Sequence, residues 1–256
     1  MDILFSNRSM NIIQETSGDK GYWTGVLFSE KDISDIQALI QHQFLSRIYQ
    51  VSPRLEAKFR ANGIENYHLI SDQINHSKVW SRTARRFSPE GVQRVQQSKL
   101  FDSLNKIFGM AEITAEEIGA TPEIQWRLVR PNRPEDTAPI HADYWYWNLN
   151  KWKVPKGKKC LKVWTMIGGE AGFAGLNLYP GSHKHQDWPF TAEERHGLVK
   201  PFFVAENMKI LAELPLTPPG TSIIFDYALL HAGALNTGNT CRVSFEFTIY
   251  VPAKET

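Results

Sequence analysis

The chain has 256 residues, with 29 Lys and Arg against 27 Asp and Glu for a formal net charge of +2, and it is 42% hydrophobic and 22% charged. This composition excludes the basic field of a nucleic-acid binder, the low hydrophobicity of a disordered chain and the cysteine density of a disulfide scaffold, leaving small molecules as the expected partners. No stretch reaches the roughly 20 apolar residues of a membrane span, and the opening MDILFSNRSMNIIQETSGDKGYW holds no apolar run behind a basic start, so the expectation is a cytoplasmic protein with no membrane insertion. Cys160 and Cys241 are the only cysteines and read as free thiols.

In chain order, Ser29 and Asp32 have capping-box spacing ahead of Ile33, Ile36, Leu39, Ile40, Phe44 and Ile48, which recur at helical intervals. A polar connection with little helical signal follows from His68 to Arg86. Ser88 as N-cap and Pro89 at the first helical position then open a second helix through Val92, Val95, Leu100, Leu104 and Ile107, stopped at Gly109. From about Glu123 the period changes. EIQWRLVR, KVWTMIG, KILAEL, TSIIFDY and CRVSFEFTIYV are short segments rich in β-branched and aromatic residues, separated by Pro and Gly. In the last of them Val243, Phe245, Phe247 and Ile249 alternate with Arg242, Ser244, Glu246 and Thr248, giving one apolar face and one polar face suited to a cavity. Helices followed by strands predict an α+β, mainly β fold. One domain spans 1–256, with a helix-rich part over 1–120 buttressing a β-sandwich or jelly-roll core over about 121–252.

The chemistry concentrates in HADYW. On an extended segment residues i and i+2 share a face, so the His141 imidazole and Asp143 carboxylate can reach one ion. His231, after the apolar strand TSIIFDY and at the lip of a Gly-containing turn, is the candidate third ligand. Two His and one carboxylate form a facial set that leaves open positions on an octahedral ion, the pattern of iron(II) oxygenases rather than of closed structural zinc sites. Arg242 stands eleven residues after His231, on the polar face of the last strand, where its guanidinium can grip a carboxylate bidentately. Tyr144 and Trp145 follow the ligands directly and are the candidate substrate-lining residues; strand alternation assigns about half of the aromatics in DYWYWNLNKW to the core. The Pro-Gly turn in PGSHKH gives His183 a structural role. KWKVPKGKK reads as a solvated loop, and Asp226 and Asn236 as residues that order the backbone around His231.

Three motifs in order carry a resemblance: HAD at 141–143, GLNLYPGSHKH from Gly175 to His185, and GTSIIFDYALLHAGALNTGNTCRVSFEF from Gly220 to Phe247. In these the chain resembles the phytanoyl-CoA dioxygenase-like branch of the iron(II)- and 2-oxoglutarate-dependent oxygenases. The resemblance implies a double-stranded β-helix, Fe(II) held by His141, Asp143 and His231, and 2-oxoglutarate anchored by Arg242. It extends to Gln125 and Arg127, where some relatives use a Gln-x-Lys pair for the co-substrate. The implied reaction uses O2 to hydroxylate an unactivated C–H bond of a small, polar metabolite, with release of succinate and CO2. The chain departs from the pattern at Gly233, where many relatives carry a hydroxyl residue, at Arg127 in place of Lys, and in RPNRPEDTAP before His141. The helical first half matches no family motif and is the expected source of substrate choice. Two other readings use the same residues: a redox-inert jelly-roll hydrolase or isomerase with zinc or manganese at the triad, and a non-catalytic jelly-roll binding module.

Overall fold

The computed structural model describes residues 11–115, 121–185, 187–195, 198–204 and 211–253. Its helices are α1 (11–17), α2 (Glu30–Val51), α3 (Glu56–Asn62), α4 (His76–Val79), α5 (Pro89–Gln96), α6 (Lys99–Phe108) and α7 (Asp143–Leu149). The strands are β1 (Tyr22–Val26), β2 (Glu112–Ile113), β3 (Gln125–Val129), β4 (Lys158–Gly168), β5 (Leu176–Leu178), β6 (Phe190–Arg195), β7 (Leu198–Phe203), β8 (Thr221–Asp226), β9 (His231–Gly233) and β10 (Arg242–Pro252).

The caps read in the sequence act as expected. Ser29 Oγ accepts from the Asp32 amide at 3.1 Å while Asp32 Oδ2 accepts from the Ser29 amide at 3.2 Å, and Ser88 Oγ accepts from the Gly91 amide at 3.2 Å. Ile36, Ile40, Phe44 and Ile48 form the buried stripe of α2. Two expectations need correction. The helix opened by Ser88 is broken after Gln96, and Ser98 starts α6, which runs to Gly109 at φ 83°. The connection from His68 to Arg86 is built largely of short helical turns, 3-10 pieces at Tyr67–Gln73 and Thr83–Arg85 around α4, because it lacks the apolar periodicity that would sustain a longer helix.

A six-stranded antiparallel sheet runs β1-β8-β4-β10, with β2 and β3 both paired to β10. Its two faces follow from the alternation in β10. Val243, Phe245, Phe247 and Ile249 join Trp126, Leu128, Leu161, Val163 and Ile224 in a core shared with the helices, where Phe245 meets Phe28 edge-on at 5.4 Å. Each such aromatic contributes about 1.5–3 kcal/mol by burial, so the helical part is a structural half of the core. The opposite face carries Tyr22, Ile223, Phe225, Trp164 and Met166, which pack against Leu176 and Leu178 of β5. A second sheet, β5-β9, lies there, and an antiparallel bridge from His231 adds His141 at its edge. Two facing antiparallel sheets form the double-stranded β-helix core. The hairpin β6-β7 folds over α7 and closes one side. No helix among the described residues is long and apolar enough to cross a membrane.

Candidate metal centre

His141 and His231 are brought together by backbone pairing, with each amide donating to the other's carbonyl at 3.0 and 2.9 Å. Ala142 keeps the chain extended at φ −117°, ψ 136°, so His141 and Asp143 project the same way, and α7 begins at Asp143 itself. The segment after the ligands is therefore a helix and not a strand. Of its aromatics Tyr144, Trp145 and Trp147 are buried, on helical rather than alternating spacing. The Tyr144 amide donates to Tyr227 O at 3.1 Å, which fixes the first turn of α7 against β8's end.

His141, Asp143 and His231 each offer a donor atom within 4.8 Å of the others. His141 Nε2 lies 3.9 Å from Asp143 Oδ1, and His231 Nε2 lies 3.8 Å from Asp143 Oδ2. The Nδ1 atoms contact the carbonyls of Pro139 and Leu229 at 2.8 and 2.9 Å. A carbonyl only accepts, so both Nδ1 atoms carry the proton and both Nε2 lone pairs face the carboxylate, the tautomer a metal requires. Burial, then the neighbouring His141, pushes His231 down to about 4, which keeps it neutral. Burial opposes the charge of Asp143, but Lys162, His231 and His141 outweigh it and hold the carboxyl below its usual range. Asp143 Oδ2 is buried with no hydrogen-bond partner. A set of two imidazoles and a carboxylate with an orphaned oxygen fits a divalent cation, and ligands at about 2.1 Å on an octahedral ion stand about 3 Å apart, within a small inward shift of these side chains.

Beside this set Arg242 is 3% exposed. Its Nη1 donates to Gly175 O at 2.8 Å and its guanidinium lies over Trp164 at 5.7 Å, while Nε has no partner. Ser244 Oγ and Trp164 Nε1 are likewise buried without partners among the described residues. Gly169 permits this arrangement, since it sits at φ 123° and a Cβ there would stand 3.1 Å from the Arg242 Cα. Each orphan costs about 1–3 kcal/mol, and three such donors on neighbouring strands β4 and β10 are of the kind a carboxylate can satisfy. Gly233, the departure noted in the sequence, is held to Gly by crowding: a Cβ would stand 3.1 Å from the Ala138 amide and from Thr137 Cβ. Ser244 carries a buried hydroxyl on the polar side of β10. It was missed as a site residue although its place on the polar side of β10 was legible.

Gln125 and Arg127 also face the cavity, opposite Glu246 and Ser244 on β10. Arg127 gives Nε and Nη2 to Glu246 Oε1 at 3.0 and 2.7 Å, and Gln125 Nε2 contacts Glu123 Oε2 at 3.5 Å. Burial works against the Glu246 charge, but Arg127 and Lys162 hold its carboxyl well below the usual range. Lys162, 5% exposed, was missed in the sequence; the signal was a lysine between the apolar Leu161 and Val163. Trp145 stacks on Phe190 at 4.6 Å and on Phe203 at 6.2 Å, so it seats the hairpin on the ligand-bearing helix. His183 lies against Gly21, and its Nδ1 is buried without a hydrogen-bond partner among the described residues. Asp226 caps the Ala228 amide at 2.9 Å, and Asn236 bridges Val129 O and Thr240 O at 3.1 and 2.8 Å, as expected of residues that order the turn. Cys160 and Cys241 are buried and neither is in a disulfide among the described residues. In the lysine run Lys151, Lys153 and Lys156 are exposed, whereas Lys158 and Lys159 belong to β4 and pair with Glu112 and Asp226.

A family model described as phytanoyl-CoA dioxygenase matches residues 27–244. The chain belongs to the phytanoyl-CoA dioxygenase family. The match begins before α2, so the helical half that lacks sequence motifs is part of the family's common structure. Among solved structures, EvdO2 from Micromonospora carbonacea var. aurantiaca complexed with 2-oxoglutarate is 12% identical with a TM-score of 0.56, over 96% of this chain and 93% of that one. EctD from S. alaskensis with 2-oxoglutarate and 5-hydroxyectoine is 15% identical with a TM-score of 0.54, over 96% and 76%. The non-heme alpha ketoglutarate dependent carbocyclase SnoK from nogalamycin biosynthesis is 13% identical with a TM-score of 0.55, over 97% and 86%. At these identities the likeness is one of fold. No curated protein matches the sequence.

Proposed function

We propose that the protein is an Fe(II)- and 2-oxoglutarate-dependent dioxygenase that hydroxylates an unactivated C–H bond of a small, polar metabolite. The observation that carries this reading is the joint presence, in a phytanoyl-CoA dioxygenase family member, of the His141–Asp143–His231 donor set and the orphaned Arg242–Ser244–Trp164 donors. His141 Nε2, His231 Nε2 and one Asp143 oxygen would hold the iron, and the Arg242 guanidinium with Ser244 Oγ would hold the remote carboxylate of 2-oxoglutarate. When bound, iron and co-substrate supply activation of O2 coupled to oxidative decarboxylation to succinate and CO2.

The chain's own residues orient and exclude. Pro139 O and Leu229 O fix the two imidazoles, and Lys162 stabilises the anionic form of Asp143. Phe225, whose ring centroid lies 4.7 Å from that of His231, walls the site with apolar surface that keeps water away from the reacting centre. Gln125 and Arg127 flank the cradle on β3, Tyr144 and Trp145 are the candidate substrate-lining residues, and Trp145 also seats the hairpin. The presence of Asp143 favours hydroxylation over halogenation, because a related halogenase gives that ligand position to halide.

Aerobic incubation of the iron-loaded protein with 2-oxoglutarate tests the reading. Slow succinate formation is expected even without the true substrate, and Asp143→Ala is expected to abolish it. Succinate formation at the level of buffer containing free iron would contradict it.

A further inference from the structure

We infer that Arg85, flanked by Arg82 and Arg127, forms an oxyanion subsite that fixes a carboxylate or phosphate group of the substrate beside the metal centre. Calling the bound molecule a substrate rests on the oxygenase reading; the subsite itself is built from residues outside the metal set and the Arg242 cradle.

The 3-10 turn Thr83–Arg85 is held firmly. Gln43 Nε2 donates to Ala84 O at 2.9 Å, the Arg86 amide returns to Thr83 O at 3.3 Å, and the Phe87 amide donates to Ile124 O at 2.9 Å. An antiparallel bridge between Arg86 and Gln125 makes this segment an extension of the large sheet beyond β3. On one side Arg82 Nη1 donates to Tyr146 Oη at 3.0 Å and its guanidinium lies 5.7 Å from the Tyr146 ring. Tyr146 is three residues past Asp143 on α7, so the segment adjoins the ligand-bearing helix. On the other side stands Arg127, on the cavity face of β3.

Arg85 feels the charges of both Arg127 and Arg82, with Glu246 and Asp136 acting in the opposite sense. It is half-buried, and its hydrogen bond among the described residues is from Nε to Trp80 O at 3.0 Å, which leaves both Nη groups without a partner. The two carboxylates whose fields reach it are engaged elsewhere. Glu246 accepts both bonds from Arg127, and Asp136 is gripped by Arg130 Nε and Nη2, each at 2.8 Å, with His76 at 3.3 Å. Burial, then the charge of Arg127, pushes Arg85 down to about 9, which leaves it a cation at neutral pH. A planar guanidinium with two free Nη groups on a rigid turn is the geometry that takes an oxyanion bidentately. The signal in the sequence was SRTARR, a basic cluster within the half expected to carry substrate choice.

The test is calorimetric titration with inorganic phosphate and, separately, acetate, on the full chain both metal-free and loaded with a divalent metal and 2-oxoglutarate. Wild type is expected to bind at least one anion in both states. Arg85→Gln is expected to weaken that binding at least tenfold, Arg85→Lys to fall between, and Arg242→Gln to keep anion binding while losing 2-oxoglutarate. Preference for phosphate or for acetate names the group recognised. Thermal melting and 2-oxoglutarate binding of the Arg85 variants report folding. No anion binding by wild type, unchanged binding in Arg85→Gln, or loss of 2-oxoglutarate binding in a well-folded Arg85→Gln would overturn the subsite. Arg85-dependent anion binding in a protein that fails to bind metal or 2-oxoglutarate would support the subsite and refute the oxygenase reading instead.

Discussion

Replacing Arg242 with Leu is expected to weaken 2-oxoglutarate binding by about 2–4 kcal/mol, roughly 30- to 1,000-fold, while leaving metal binding intact. The size follows from burial. Arg242 is 3% exposed and lies on the inner face of β10, with one Nη bonded to Gly175 O and Nε without a partner. A ligand carboxylate that loses this cation stays desolvated opposite an apolar side chain, a penalty far above that of a surface ion pair. Arg242→Lys keeps the charge but not the fork, and about a tenfold loss is expected. Calorimetric titration with 2-oxoglutarate at fixed metal concentration distinguishes the outcomes. Undiminished affinity in a well-folded Arg242→Leu protein would place the co-substrate elsewhere.

Removing one member of the donor set is expected to cost more in metal affinity. His231→Ala deletes one of three donors and should lower affinity for a divalent metal at least about 100-fold, beyond the 10- to 100-fold that loss of a supporting partner costs. His231 also sits in the backbone bridge to His141, but that pairing uses main-chain atoms and survives the substitution. Asp143→Asn is the companion variant, since it keeps volume and removes the anion that draws a dication to two neutral imidazoles. Competition with a metal-binding dye gives both affinities, and far-ultraviolet circular dichroism shows whether the fold persists. Wild-type affinity in both variants would show that the three side chains do not share an ion.

The parts of this architecture legible in the sequence are those set by local periodicity. The β10 alternation identified both faces of the large sheet, and Ser29 and Ser88 marked helix starts because their caps depend on residues three positions away. His141, Asp143 and His231 were readable as a candidate donor set because the i, i+2 relation survives on the extended Ala142 backbone even though a helix begins at Asp143. That helix was not legible. DYWYWNLN has strand-like composition, and contact with Tyr227 and the β6-β7 hairpin decides its conformation. The role of Ser244 was equally hidden, since being unbonded depends on what β4 places opposite it. Arg85 stood in a stretch without periodicity, and its surroundings are fixed by residues distant in sequence, among them Glu246 and Asp136.

The most direct test of the central claim is anaerobic addition of 2-oxoglutarate to the iron(II)-loaded wild-type protein while the visible spectrum is recorded. Chelation of a 2-oxo acid by iron(II) in this site predicts a saturable charge-transfer band that is absent with zinc and absent in His141→Ala. A well-folded, iron-loaded protein that develops no such band at saturating 2-oxoglutarate would contradict the assignment of this cavity to an oxygenase.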